Sequence, residues 1–96
     1  MGRILGVDYG EIRIGLALSD NTKSIAFPFK TIKNKNIDFL LDFFKKLNSE
    51  KNIESIVIGL PLGMNGKDTL QTKNVRIFSK SLGILGIPIF FQDERL

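Results

Sequence analysis

The stretch RILGVDYGEIRIGLAL, residues 3–18, determines the start of the fold because it contains two apolar runs around one turn. The first run, residues 3–7, stops at Asp8, and Tyr9-Gly10-Glu11 supplies the turn. Residues 12–18 then resume an extended pattern. The stretch therefore predicts two antiparallel strands joined by a short hairpin.

A third strand and a helix are predicted to follow this hairpin. The turn residues 20–23 precede an alternating segment, residues 24–32, in which Pro28 suits an edge strand or a bulge. The apolar period then becomes helical, at Ile37, Leu40, Leu41, Phe44 and Leu47. We expect a helix over residues 37–50, with Asn36 as its N-cap.

The second half of the chain predicts a buried strand and the loop that follows it. Residues 53–60 contain Ile56-Val57-Ile58, a continuous β-branched run typical of a strand that is covered on both faces. Residues 61–67 carry proline, glycine and asparagine, which indicates a loop. Its glycines could let backbone amides approach a phosphate, but no Walker-type phosphate-loop pattern is present, so a simple connection explains them better.

A second helix and a last strand complete the predicted order. Asp68, with Gln71 three residues on, predicts an N-cap, and Gly83 or Gly86 ends the helix. Residues 87–92 form the last strand, which is followed directly by Asp93-Glu94-Arg95. The resulting order is β-β-β-α-β-α-β. We therefore expect one α/β domain over residues 1–96, with a mixed five-stranded sheet.

Composition limits the chemistry that this domain can perform. Its 96 residues include neither Cys nor His, which excludes disulfides, thiolate metal sites, cysteine nucleophiles and histidine bases. Any chemistry must therefore use carboxylates, hydroxyls, lysine, tyrosine or a bound metal. The formal charge of +4 suits a nucleic-acid partner, and it is equally compatible with an ordinary solvated surface.

The expected location of the protein follows from its hydropathy. No apolar run approaches the roughly 20 residues that cross a bilayer, and no signal peptide precedes the first strand. We therefore expect a cytoplasmic protein that does not bind membranes.

Acidic residues at strand ends are the candidate functional groups. Asp8 ends the first strand, where neighbouring strands can bring further oxygen ligands to one cation, although it could also simply open the turn. Asp93 and Glu94 end the last strand, and their side chains must point to opposite faces while the chain stays extended. Only one of them can therefore share a metal with Asp8, and we expect this residue to be Glu94.

Three segments together resemble one protein family in their order and spacing. They are GVDYG at residues 6–10, IGLPL at residues 58–62 and DERL at residues 93–96. With Arg13-Ile14-Gly15 and Arg76 between them, they resemble the RuvX/YqgF family over nearly the whole chain.

This resemblance implies an RNase H-like fold and a nuclease similar to Holliday-junction resolvases that matures the 5′ end of pre-16S ribosomal RNA. Asp8 and Glu94 would then be the catalytic residues and would coordinate Mg²⁺ or Mn²⁺. Arg13, Lys73 and Arg76 would contact phosphates of the nucleic acid. The substrate would be precursor ribosomal RNA or branched DNA.

The chain departs from the family at its C-terminal end. Family members continue beyond the DERL segment into a helix that carries another acidic residue and covers the sheet. We therefore expect reduced or lost metal affinity and turnover, and an uncovered apolar face near Ile87, Ile89 and Phe91. The protein would be a monomer, or a homodimer that supplies the missing cover.

Two other functions compete with the nuclease. A nucleic-acid-binding module without catalysis would explain the basic charge and the absent helix. GVDYG also resembles the first phosphate segment of actin-like sugar kinases and ATPases, although these enzymes bind ATP between two large domains and this chain has room for only part of one.

Overall fold

The computed structural model describes residues 2–22 and 25–95 and contains the predicted order of elements. The strands are β1 (Arg3–Tyr9), β2 (Arg13–Ser19), β3 (Ala26–Lys33), β4 (Ile53–Leu62) and β5 (Ile89–Arg95), and the helices are α1 (Ile37–Lys51) and α2 (Leu70–Leu82). A short 3-10 turn, Gly83–Leu85, follows α2. Lys23 and Ser24, from the predicted turn and third strand, lie outside the described residues.

The five strands form one mixed sheet in the order β3-β2-β1-β4-β5. β1 pairs with β2, and β2 with β3, in antiparallel orientation. β4 pairs in parallel with both β1 and β5. The central strand is therefore β1, and the predicted mixed five-stranded sheet is confirmed.

Both helices pack on the same face of this sheet. The alternate residues Leu5 and Val7 of β1 are buried there, and Phe44 of α1 lies 6.2 Å from Phe78 of α2, measured between ring centroids. These side chains belong to one continuous hydrophobic core. Because strand side chains alternate, the opposite face carries the intervening residues, and in the described part of the chain neither helix covers it.

The acidic residues lie inside strands rather than after them. β1 continues through Asp8 to Tyr9, and β5 continues through Glu94 to Arg95, because each strand keeps a pairing partner beyond its apolar run. β4 likewise includes Pro61 and Leu62, which were predicted to belong to the loop. The apolar runs therefore underestimated the lengths of the strands.

The capping residues were predicted correctly for α1 and wrongly for α2. Asn36 caps α1, since its side chain accepts a hydrogen bond from the amide of Phe39 at 2.9 Å. In α2 the N-cap is Thr69, one residue after the expected Asp68. Thr69 and Thr72 form a reciprocal capping box, in which each side chain accepts a hydrogen bond from the other residue's amide.

The uncovered apolar face that was expected near β5 is present only in part. Ile87 and Ile89 are partly buried against the hydrophobic core. Phe91 pairs in register with the buried Ile58 and lies on the same side of the sheet, but it remains 44% exposed. Within residues 2–22 and 25–95, neither helix is long and apolar enough to cross a membrane.

Candidate functional site

An open cleft of about 590 Å³ lies on the sheet face opposite the helices. Its floor contains small residues from three adjacent strands: Gly6 of β1, Gly15 and Ala17 of β2, and Gly59 of β4. Residues 28–31 of β3 line it on one side, and Gln92 and Glu94 of β5 line it on the other. The small side chains leave the backbone of the central strands accessible to a ligand.

Asp8 reaches this cleft because of its position in β1. Val7 is buried in the core, and the next side chain along an extended strand must point to the opposite face. Asp8 pairs with Gly15 in β2, and a Cβ atom at Gly15 would lie 3.7 Å from the Cβ of Asp8. The carboxylate is exposed and stands beside the glycine floor.

Glu94 reaches the same cleft from β5. Asp93 pairs with the buried Leu60, so Asp93 belongs to the helix side of the sheet and Glu94 to the cleft side. The Glu94 carboxyl group lies directly over Gly59, where a Cβ atom would approach its Cδ to 2.7 Å. The side chain therefore occupies space that exists because residue 59 is glycine.

The cleft presents hard oxygen donors that suit Mg²⁺ or Mn²⁺. Asp8 and Glu94 provide two carboxylates, and the side-chain amide of Gln92 provides a third oxygen. Mg²⁺ is commonly held by one or two carboxylates while it keeps several of its water ligands. Among the described residues no cluster of three or more Asp, Glu, His or Cys could hold a metal. The donor set fits such a cation as a partly hydrated ion.

Arg13 lies at the edge of the same face. It begins β2, and alternation along that strand places it on the side of Gly15 and Ala17, both of which line the cleft. Its neighbour in β3 is Lys33. Two exposed cations therefore lie next to each other beside the end of β1 that carries Asp8.

Arg76 and Lys73 are not brought to the cleft. Both are exposed residues of α2, which packs on the opposite face of the sheet. Arg76 donates two hydrogen bonds to the carboxylate of Asp68, at 2.8 and 3.0 Å, and its guanidinium lies 5.9 Å from the centroid of the Phe91 ring. Any phosphate bound by these two residues would lie on the helix side.

The hydrogen bond from Arg76 is the main cause that lowers the pKa of Asp68. Partial desolvation opposes this shift, while the positive charges of Arg76 and Lys73 add to it. A lowered pKa in the folded state means that the pair stabilises the fold above the ordinary pKa of 3.8, and that this stabilisation is lost as the pH falls through the lowered value. The effect is small because both side chains are partly exposed.

Arg76→Gln is therefore expected to lower the free energy of unfolding slightly at neutral pH and to have no effect once Asp68 is protonated. Urea unfolding of both proteins at pH 7 and near pH 2, well below the ordinary pKa of 3.8, measures this difference. A deficit that persists unchanged at the lower pH would show that Arg76 acts through packing on Phe91 instead.

The loop after β4 uses its backbone amides internally. The amide of Gly63 donates to the carbonyl of Lys67 at 2.9 Å, and the amide of Gly66 donates to the carbonyl of Gly63 at 2.8 Å. The amide of Lys67 donates to Oδ1 of Asn65 at 3.0 Å. These donors are engaged in holding the loop, which favours the simple connection over a phosphate cradle.

Three features of the cleft were not found from the sequence. These features are the glycine floor, the position of Gln92 and the wall formed by β3. Each depends on which residues of distant strands become neighbours, and the sequence alone does not give this. The glycines in GVDYG, RIG and IGLPL were the available signal, since glycine within a strand often marks close approach of a ligand or another chain segment.

A protein-family model described as RuvX, Holliday junction resolvase, matches residues 2–96. The chain belongs to the RuvX family. Curated RuvX relatives carry the name "Putative pre-16S rRNA nuclease". The protein from Zymomonas mobilis is 38% identical over 94 residues, and the protein from Sphingopyxis alaskensis is 42% identical over 94 residues. Each match covers 98% of this chain, which spans 58% and 62% of those relatives' lengths.

Solved structures show that this RuvX chain has the RNase H-like fold. T. thermophilus RuvC, solved in complex with a Holliday junction substrate, matches with a TM-score of 0.68 at 10% identity, covering 97% of this chain and 65% of RuvC. The large terminase nuclease of phage G20c matches with a TM-score of 0.64 at 12% identity, covering 95% of this chain and 44% of that nuclease.

A ROK family protein from Streptococcus pneumoniae, solved with sucrose, also matches with a TM-score of 0.64 at 16% identity. The match covers 95% of this chain and 34% of that protein. At such low identities these likenesses concern the fold alone. Fold likeness therefore does not discriminate between a nuclease and a sugar-binding protein.

Proposed function

We propose that this chain carries the metal-binding carboxylates of a divalent-metal-dependent endonuclease that acts in 5′-end maturation of pre-16S ribosomal RNA in the cytoplasm. The observation that carries the proposal is the convergence of Asp8 and Glu94 on one glycine-floored cleft. The names of the RuvX relatives support ribosomal RNA as the substrate. Branched DNA is the alternative substrate, supported by the family description.

The proposed roles follow from the chemistry of the residues. Asp8 and Glu94 hold Mg²⁺ or Mn²⁺, and Gln92 offers a neutral oxygen or an amide donor to a ligand beside them. When bound, the metal supplies a water of lowered pKa and stabilises the leaving oxygen, which makes a histidine or cysteine unnecessary. Gly59 leaves room for the Glu94 carboxylate.

The basic residues have separate proposed roles. Arg13 contacts a phosphate that lies next to the cleft, and its planar guanidinium suits two phosphate oxygens at once. Arg76 and Lys73 contact phosphates of a substrate that extends around to the α2 side. Such contacts provide affinity that falls as the salt concentration rises.

Metal titration with an RNA substrate tests the proposal. We expect calorimetry to detect Mn²⁺ binding to the chain, and we expect a pre-16S ribosomal RNA transcript to be cleaved in Mg²⁺ or Mn²⁺ and to stay intact in excess chelator. Metal binding is measured separately because turnover can be low while the site still binds its cation. RNA binding without any metal binding would contradict the nuclease and favour the non-catalytic binding module. Calorimetric binding of ATP would favour the actin-like alternative.

A further inference from the structure

The edge strand β3 combines exposed aromatic rings with uncompensated positive charge. Residues 25–35 contain three lysines and no acidic residue. Phe27 is 54% exposed and Phe29 is 38% exposed, which is unusual for phenylalanine in a small domain that has a well-formed core. We use the name β3 strip for a set of five residues: Phe27, Phe29, Lys30, Lys33 and Lys35.

Three lysines lie close to phenylalanine rings where β3 and α1 face each other. The Nζ atom of Lys35 lies 4.7 Å from the centroid of the Phe39 ring. Nζ of Lys30 lies 5.7 Å from the Phe43 ring centroid, and Nζ of Lys51 lies 5.7 Å from that of Phe29. Within residues 2–22 and 25–95, no lysine of the strip forms a salt bridge. Their charges therefore remain available to an anionic ligand.

The β3 strip is continuous with the cleft. Phe29 and Lys30 belong both to the strip and to the cleft wall. Lys33 pairs with Arg13 on the cleft side of the sheet. Lys30 also lines the cleft, but it pairs with the buried Leu16 and its Nζ atom lies near Phe43 of α1, so its ammonium group is on the α1 side. The pairing register shifts near Phe29, which adds an extra residue to β3 and exposes both sides of the strand edge. A chain-like ligand in the cleft could therefore pass over β3 to the side of the strand that faces α1.

We propose that the β3 strip binds a single-stranded segment of RNA that flanks the phosphate held at Asp8 and Glu94. Lys30, Lys33 and Lys35 contact its phosphates, and unpaired bases stack on Phe27 and Phe29. Only unpaired bases offer faces to a protein ring, so the arrangement selects single strands over duplexes. The location of the RNA rests on the proposed function, whereas the binding itself can be measured without metal or cleavage.

A basic surface with exposed aromatic rings could also suit an anionic membrane. The continuity of the strip with the acidic cleft favours RNA, because a membrane would leave the cleft without a role. Vesicles containing phosphatidylserine provide the comparison. If the vesicles bind the chain through the strip lysines and an unstructured oligonucleotide does not bind, the proposal is wrong.

Removal of two lysines tests the phosphate contacts. We compare Lys30→Gln/Lys33→Gln with the control Lys67→Gln/Lys80→Gln, which makes the same charge change at exposed positions around α2. Binding of a 12-nucleotide oligouridine is measured in chelator at several salt concentrations. In the strip variant the slope of log K against log salt should become less negative by about 1.4, at about 0.7 for each lost phosphate contact on a single strand. Equal changes in both variants would overturn the proposal.

A tryptophan probe tests the stacking. The chain has no tryptophan, so Phe27→Trp introduces a unique fluorophore in the strip, and Ile77→Trp, at a position that is 66% exposed on α2, is the matched control. We expect oligouridine to quench the first protein and to leave the second unchanged. Phe27→Ala should raise the Kd at least about fivefold, the lower end of a typical base–aromatic stack. Absence of quenching, with unchanged affinity of Phe27→Ala, would remove the strip from RNA binding.

These results separate the two proposals. Strip-dependent RNA binding in chelator, with neither metal binding nor cleavage when metal is added, would contradict the nuclease and leave the β3 strip supported. Metal-dependent cleavage that is insensitive to both strip variants would support the nuclease and contradict the strip.

Discussion

Asp8→Asn is expected to weaken Mn²⁺ binding by at least about a hundredfold. Even the loss of a group that only hydrogen-bonds to a metal ligand typically lowers metal affinity about 10- to 100-fold. The substitution keeps the shape of the side chain and removes one of the two negative charges that line the cleft. Cleavage of RNA should fall with metal occupancy. Calorimetry with Mn²⁺ and a cleavage assay at a fixed metal concentration measure the two effects.

The fold should tolerate this change. Asp8 is exposed and lies on the uncovered face, so its replacement should change the free energy of unfolding by no more than about 0.5 kcal/mol. Glu11→Gln is the matched control, because Glu11 is an exposed carboxylate in the adjacent turn and does not line the cleft. If Asp8→Asn and Glu11→Gln bind Mn²⁺ equally well, Asp8 is not a metal ligand and the proposed function fails.

The arrangement of the sheet was predictable because local patterns determine each element. Two apolar runs joined by a short turn can pair only in antiparallel orientation, as β1 and β2 do. The helical period at residues 37–47 makes α1 a crossover connection, which leads to the parallel strand β4. Alternation in an extended strand also predicted that Glu94 and Asp93 point to opposite faces of the sheet, and of these two residues Glu94 lines the cleft. Each of these inferences uses information within about ten residues of the element concerned.

The details that failed depend on partners that are distant in sequence. β5 extends through Glu94 because β4 offers partners as far as Leu62, which no pattern in β5 itself reveals. The N-cap of α2 is Thr69 rather than Asp68. Asp68 instead accepts a hydrogen bond from Arg76, which lies one helical turn after Thr72, the last residue of the capping box. A sequence motif identifies candidate groups, and the tertiary register decides which of them meet.

The position of the Glu94 carboxyl group over Gly59 is the clearest consequence of that register. It leads to the second prediction of a large change in Mn²⁺ affinity. Gly59→Ala adds a Cβ atom that would lie 2.7 Å from Cδ of Glu94, so the carboxylate must move away from its present position. We expect Mn²⁺ affinity to fall about 10- to 100-fold, the cost typical of displacing a group that orients a metal ligand. The new methyl group meets the end of a flexible, exposed side chain, so the fold should accept it.

Stability should respond to Gly59→Ala in the opposite direction from metal binding. Glycine inside a strand is roughly 0.5–1 kcal/mol less favourable than alanine, so the variant should unfold at an equal or higher urea concentration. Gly6→Ala is the control on the neighbouring strand, because its Cβ would meet only Ala17, at 3.6 Å from the nearest atom, and no carboxylate. It should gain stability without losing metal affinity.

A double-mutant cycle isolates the physical cause of the effect. If Gly59→Ala acts by displacing the Glu94 carboxylate, it should have almost no further effect on Mn²⁺ affinity in a Glu94→Gln background, because the charged ligand is already absent. If the two substitutions instead reduce affinity independently and their free energies add, the methyl group acts on the cleft in some other way. Non-additivity in this cycle would thus identify Glu94 as a ligand whose position depends on a glycine in the adjacent strand.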